Sequence, residues 1–155
     1  MSARITPRAT LHGVPIHAML VPFPIVCFIG ALLTDIAYAN TANVQWTNFS
    51  QWLLAFGTLF AGIAAVFGAI DFFFGSRAKG SGGGDRPLIG WIHMIANLVL
   101  FVVALFNNFV HARDGWTSVV PTGLTLSIIT VLLLFVSGHL GGRLAYVHVV
   151  RRDER

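Results

Sequence analysis

Four stretches of the chain are almost uninterrupted in apolar residues, and the polar positions collect between them. The first covers residues 15–38 and meets no charge before Asp35. The second covers 52–74 and is interrupted only by Asp71, the third covers 88–110, and the fourth covers 119–150 and is broken by Arg143. A helix needs about 20 residues to cross roughly 30 Å of hydrocarbon, and each stretch reaches that length. Lipid offers backbone N–H and C=O groups no partners, so a spanning segment must satisfy them internally as a helix. Residues 40–51, rich in Asn and Thr, read as a connection. Residues 75–87 contain the flexible tract Gly80-Ser81-Gly82-Gly83-Gly84, and 111–118 form a short turn around Asp114-Gly115. The pattern predicts an all-α fold: one four-helix transmembrane bundle spanning 1–155, with helices at about 15–38, 52–74, 88–110 and 119–150.

Composition supports the same class. Only 10% of the 155 residues are charged, against about 25% in soluble domains, too few to cover a soluble surface. Disorder is excluded by the hydrophobicity. The single Cys27 lies in an apolar run, so there is no disulfide framework. The basic residues form no single face, which argues against nucleic acid. They flank the apolar stretches instead. Four crossings put the N-terminus, the second-to-third connection and the C-terminus on one side. That side carries Arg4, Arg8, Arg77, Lys79, Arg86, Arg143, Arg151, Arg152 and Arg155, while the other carries Arg113. The positive-inside rule predicts that both termini are cytoplasmic in a bacterial inner membrane. Ala37-Tyr38-Ala39 has the form of a signal-peptidase site, but the preceding run is long and contains Pro22 and Pro24, so it is read as a helix.

Ionisable groups inside a bilayer are costly and point to function. His17 and His93 lie near the cytoplasmic starts of helices 1 and 3, and His139 and His148 lie toward the cytoplasmic end of helix 4. His12 precedes helix 1, and His111 stands on the opposite side. Nine residues at about 100° each place His139 and His148 on opposite faces of one helix, so only one can join His17 and His93. Imidazole suits haem iron, zinc and copper. Two histidines on facing helices of a bundle make a b-type haem site, and 13 Phe and 4 Trp suit an apolar interior. The bland alternative is that these rings cap helices or meet lipid headgroups. Gly138, Gly141 and Gly142 would let another helix or a flat ligand approach closely. Asp71 is expected either to orient a ligating histidine or to pair with Arg143. Asn97, four residues after His93, is expected to orient that ligand or to join two helices. Asp35 is expected near Arg113 or near Asn107, Asn108 and His111, where it would mark either a point at which protons enter or a wet helix end. Pro22 and Pro24 predict a kink just inside His17, with a tolerated transmembrane proline as the alternative. No Ser/His/Asp or Cys/His set, phosphate loop, CxxC or HExxH motif is present, which argues against hydrolase and nucleotide chemistry.

The run His17-Ala18-Met19-Leu20-Val21-Pro22-Phe23-Pro24-Ile25 resembles the His-Pro…Phe-Pro-Ile start of the small bacterial membrane proteins known as domain of unknown function 2231. Asp71 and His93 match the next landmarks of that family. The segment from Gly138 through His139, Gly141, Gly142 and Tyr146 to His148 resembles its Gly-x-x-Gly-Gly-x-Leu-x-Tyr-x-His ending. Ala18 departs from the usual proline. His139 stands where the family commonly has an aromatic residue, which favours His148 over His139. The resemblance implies a four-helix membrane architecture and singles out His17, His93 and His148. The association of some members with Rieske-type domains implies electron transfer.

The function expected from these readings is that of a small b-type cytochrome. It would hold haem b through two of His17, His93 and His148, with Asp71 and Asn97 in support, and exchange electrons with a quinone or a partner protein. Zinc, iron or copper is the alternative occupant. The alternative functions are a proton or metal-ion transporter or channel subunit, and an accessory or assembly subunit. A homo-oligomer is compatible with each.

Overall fold

The computed structural model describes residues 5–77, 88–112 and 119–150, and side chains over 7–75, 88–112 and 119–145. Four membrane-length apolar helices form the described fold. Near the N-terminus, β1 (Ile5–Thr6) precedes a small hairpin of β2 (Thr10–Leu11) and β3 (Val14–Pro15), turned by His12 and Gly13 at positive φ of 49° and 84°. The first span is α1 (Ile16–Leu20) followed by α2 (Pro22–Thr41). The helix is interrupted at Val21, where Pro22 lacks the N–H that would continue the ladder, but Val21 keeps helical backbone angles, φ −54° and ψ −35°. Helical bonds close around it, with the Val21 N–H donating to the His17 carbonyl at 3.1 Å and the Ile25 N–H to the Val21 carbonyl at 3.4 Å.

α3 (Val44–Phe74) begins eight residues before the start expected at Trp52. The stretch from Val44 to Gln51, expected in a connection, is helix because its polar residues have local partners. Asn43 caps the helix by accepting from the Gln45 N–H at 3.0 Å. Thr47 donates to the Val44 carbonyl at 2.8 Å, and the Ser50 hydroxyl lies 2.7 Å from that of Thr34 on α2. Only Ala42, in the left-handed region at φ 53°, and Asn43 therefore separate α2 from α3. β4 (Ser76–Arg77) then pairs antiparallel with β1 and ties the N-terminal segment to the end of α3.

α4 (Leu88–His111) and α5 (Leu124–Val150) complete the bundle. A wide helical turn, Val119–Gly123, leads into α5, with extended Val120 before Pro121. α2 packs on α3 and α5, and α4 packs on the same two helices, closing a four-membered ring. Its core is Phe28, Ala31, Leu54, Leu100 and Ala104. Apolar residues outside the core, such as Val26, Leu98, Phe109 and Phe135, point outward. A hydrocarbon solvent favours that distribution.

Lipid supplies little hydrophobic drive between helices, so close packing of small residues matters. Gly57 is the tightest such position in the core. A Cβ built there would lie 2.7 Å from Phe28 Cε1 and 3.0 Å from Cys27 Cβ. Gly57→Ala should therefore overpack the α2–α3 contact and cost about 1–3 kcal/mol. Reversible denaturant unfolding in detergent micelles measures that loss.

Candidate functional site

The polar residues of the bundle gather at its two ends. At the end that carries the N-terminal segment, His17 of α1 and His93 of α4 lie side by side, their ring centroids 6.4 Å apart and their planes at 87°. His17 is fixed by α3. Its Nδ1 lies 2.7 Å from the Ala64 carbonyl oxygen, and the ring fills the space beside Gly68, where a Cβ would come within 3.0 Å of Nδ1. A carbonyl only accepts, so Nδ1 carries the proton and donates. Nε2 of the neutral ring then presents its lone pair. Histidine ligands of metals are commonly fixed by such a bond at the second nitrogen.

His93 is held from two sides. The Asn97 amide nitrogen lies 3.1 Å from Nε2 and 3.3 Å from Nδ1, and it also donates to the His93 carbonyl at 2.8 Å. The Asn97 oxygen accepts from the Ser137 hydroxyl of α5 at 2.8 Å. Asn97 thus both orients His93 and joins α4 to α5, combining the two roles expected of it. Gly141 lies under the ring, its built Cβ 3.2 Å from His93 Cε1. The imidazole itself occupies the space this glycine opens, whereas Gly138 and Gly142 face open space.

The expectation for Asp71 is revised. Asp71 neither backs a histidine nor pairs with Arg143. Its Oδ1 accepts from the backbone N–H groups of Arg8 and Ala9, each at 2.8 Å, because the β1–β4 pairing lays that segment over the end of α3. His139 is exposed on α5, away from the pair. The His148 side chain lies outside the described residues, as do Arg113 and most of 75–87. Among the described residues no group of three His, Cys, Asp or Glu side chains converges as a metal site.

The other end holds a cluster that the sequence showed only in part. Asp35 and His111 are joined at 2.9 Å with both side chains fully buried, so Asp35 is not at a wet helix end. The Ser127 hydroxyl donates to the second Asp35 oxygen at 2.6 Å and accepts from the Asn107 amide at 2.9 Å. Asn108 turns to α3 instead, donating to Thr58 at 2.7 Å. Ser127 and Ser137 were missed by sequence reasoning. Each is one small hydroxyl in an apolar run, and its only signal is that it interrupts the run.

The family described as predicted membrane protein (DUF2231) matches residues 13–154, from the hairpin to the last residues of the chain. The chain belongs to the DUF2231 family. The match includes His17, Asp71, His93, Asn97 and His148, so both described clusters lie within family sequence. No curated protein and no solved structure matches the chain.

Asn97→Leu removes both the Ser137 bond and the restraint on His93. Hydrogen bonds between transmembrane helices average about 0.6 kcal/mol, with a maximum near 1.7. The variant should lose stability within that range while retaining helix content, as read by unfolding and circular dichroism in one detergent.

Proposed function

We propose that this DUF2231 protein is a small b-type cytochrome-like electron carrier in which His17 and His93 hold one haem. The observation that carries the reading is the number of imidazoles brought together. His17 and His93, on separate helices, bring their ring centroids to 6.4 Å. A zinc ion in a structural site asks for four ligands. A porphyrin brings four nitrogens of its own and asks the protein for two. The donor set among the described residues fits the second demand better. Asp71, the carboxylate that would have enlarged the set, is engaged by backbone N–H groups.

Haem supplies reversible one-electron chemistry when bound. The residues of the chain supply the rest. Ala64 fixes the His17 tautomer, Asn97 and Ser137 hold His93 in place, and Gly68 and Gly141 let the rings lie against the helices; the Asn97 amide would give up the His93 ring nitrogen it faces for that nitrogen to bind a metal. The positive residues flanking this end support a position at the cytoplasmic face of a bacterial inner membrane, with both termini inside. Electrons would pass there to or from a quinone or a partner protein.

A transport reading asks for a polar file between the two ends. Phe28, Leu54 and Leu100 lie between the clusters along their helices and pack together, and the polar side chains beside them, Thr58 and Asn108, bond to each other and to helix carbonyls rather than to either histidine, which favours an electron carrier over an ion pathway.

Protein purified in detergent from cells with ample haem supply should show a Soret band that shifts on dithionite reduction. His17→Ala and His93→Ala should each reduce bound haem at least tenfold without loss of the helical signal. A colourless wild-type protein would overturn the proposal, as would variants that keep the full band.

A further inference from the structure

The buried Asp35–His111 pair plays no part in the proposed haem site, and counting its hydrogen bonds determines how many protons it carries. His111 Nε2 faces Asp35 Oδ1 at 2.9 Å, while Nδ1 faces the carbonyl oxygen of Asn107 at 3.0 Å. A neutral imidazole has one N–H and one lone pair, and an ionised carboxylate only accepts. A neutral His111 beside an ionised Asp35 would therefore turn a lone pair onto an oxygen, inside a site that neither side chain leaves. That arrangement forfeits a hydrogen bond in a low-dielectric interior.

Two arrangements satisfy every atom of the pair. In one, an imidazolium donates from Nε2 to the carboxylate and from Nδ1 to the Asn107 carbonyl. In the other, the carboxyl of Asp35 donates its O–H to Nε2, and the neutral ring donates from Nδ1. They differ by the passage of one proton along the Nε2–Oδ1 bond, which cancels both charges together. Each contains one proton more than a carboxylate beside a neutral histidine. In both, Asp35 Oδ2 accepts from Ser127.

Among the described residues no further charged group joins the bond network. The partners are Gln51 of α3, which donates to the His111 carbonyl, Asn107 of α4 and Ser127 of α5, all neutral. Gly123 admits the ring, since a Cβ there would come within 2.7 Å of His111 Cε1. Asn107 bonds to both halves of the network, yet its Oδ1 is buried and has no partner among the described residues. A buried orphan acceptor in a native structure is commonly met by water, and water is the carrier a departing proton needs.

We propose that Asp35 and His111 form a membrane-embedded proton-binding site that holds one proton shared between carboxylate and imidazole, separate from the His17–His93 pair. The test is nitrogen-15 NMR of ring-labelled histidines in the full chain in micelles at neutral pH, with infrared measurement of the carboxyl stretch. His111 is assigned by the loss of its signals in His111→Gln and by backbone correlations in the wild type, which serve if that variant does not fold. The expected result is either two ring N–H signals at His111, or one N–H together with a protonated carboxyl that is lost in Asp35→Asn. Where His111 carries two N–H, Asp35→Asn should remove one of them, because the amide no longer balances an imidazolium. A singly protonated His111 beside an ionised Asp35 would overturn the proposal, and so would a second N–H that persists in Asp35→Asn. Neither readout depends on haem, so failure here is distinguishable from failure of the cytochrome reading.

Discussion

Every polar group carried into this bundle must find its partner inside the protein, because the surrounding hydrocarbon supplies none. That constraint organises the structure. Backbone groups are satisfied by four long helices. Hydroxyls such as Thr47 and Thr130 bond to carbonyls of their own helices, and the larger polar side chains condense into clusters at the two ends. Between the clusters, Phe28, Leu54 and Leu100 pack together, and the buried Thr58 hydroxyl beside them is matched by Asn108. A single isolated imidazole or carboxylate would be costly in this setting, so the side chains appear in interlocking sets.

The two sets differ in what they leave open. At the Asp35–His111 end the bonds close on themselves, drawing on α2, α4 and α5 and leaving only Asn107 Oδ1 unmatched. At the His17–His93 end, each ring is fixed by one helix partner, Ala64 or Asn97, and a nitrogen of His17 remains uncommitted. A closed set suits holding a proton. Two imidazoles on two helices, one of them with an uncommitted nitrogen, suit a ligand that enters between or beside them.

Much of this was legible in the sequence, and the gaps have physical causes. The four spans follow from hydrophobic length alone, and the break at Val21 follows from Pro22. The start of α3 was displaced because Asn43, Thr47 and Ser50 read as loop residues when their partners are unseen. Helical capping and back-bonding convert them to helix formers. The structure brings His17, His93 and Asn97 together, as shared membrane depth limits which residues can meet. The role of Asp71 was not legible. Its partners are backbone N–H groups of Arg8 and Ala9, which carry no side-chain signature. Ala64, which fixes His17 through its carbonyl, is invisible for the same reason.

The central claim is that one end of the bundle is a two-imidazole site built for a single ligand. Calorimetric titration of the haem-free chain with haemin in micelles tests it most directly. The account predicts saturable binding of one haemin per chain, abolished when His17 and His93 are both replaced by alanine. Binding that does not saturate, or that persists unchanged in the double variant, would contradict it.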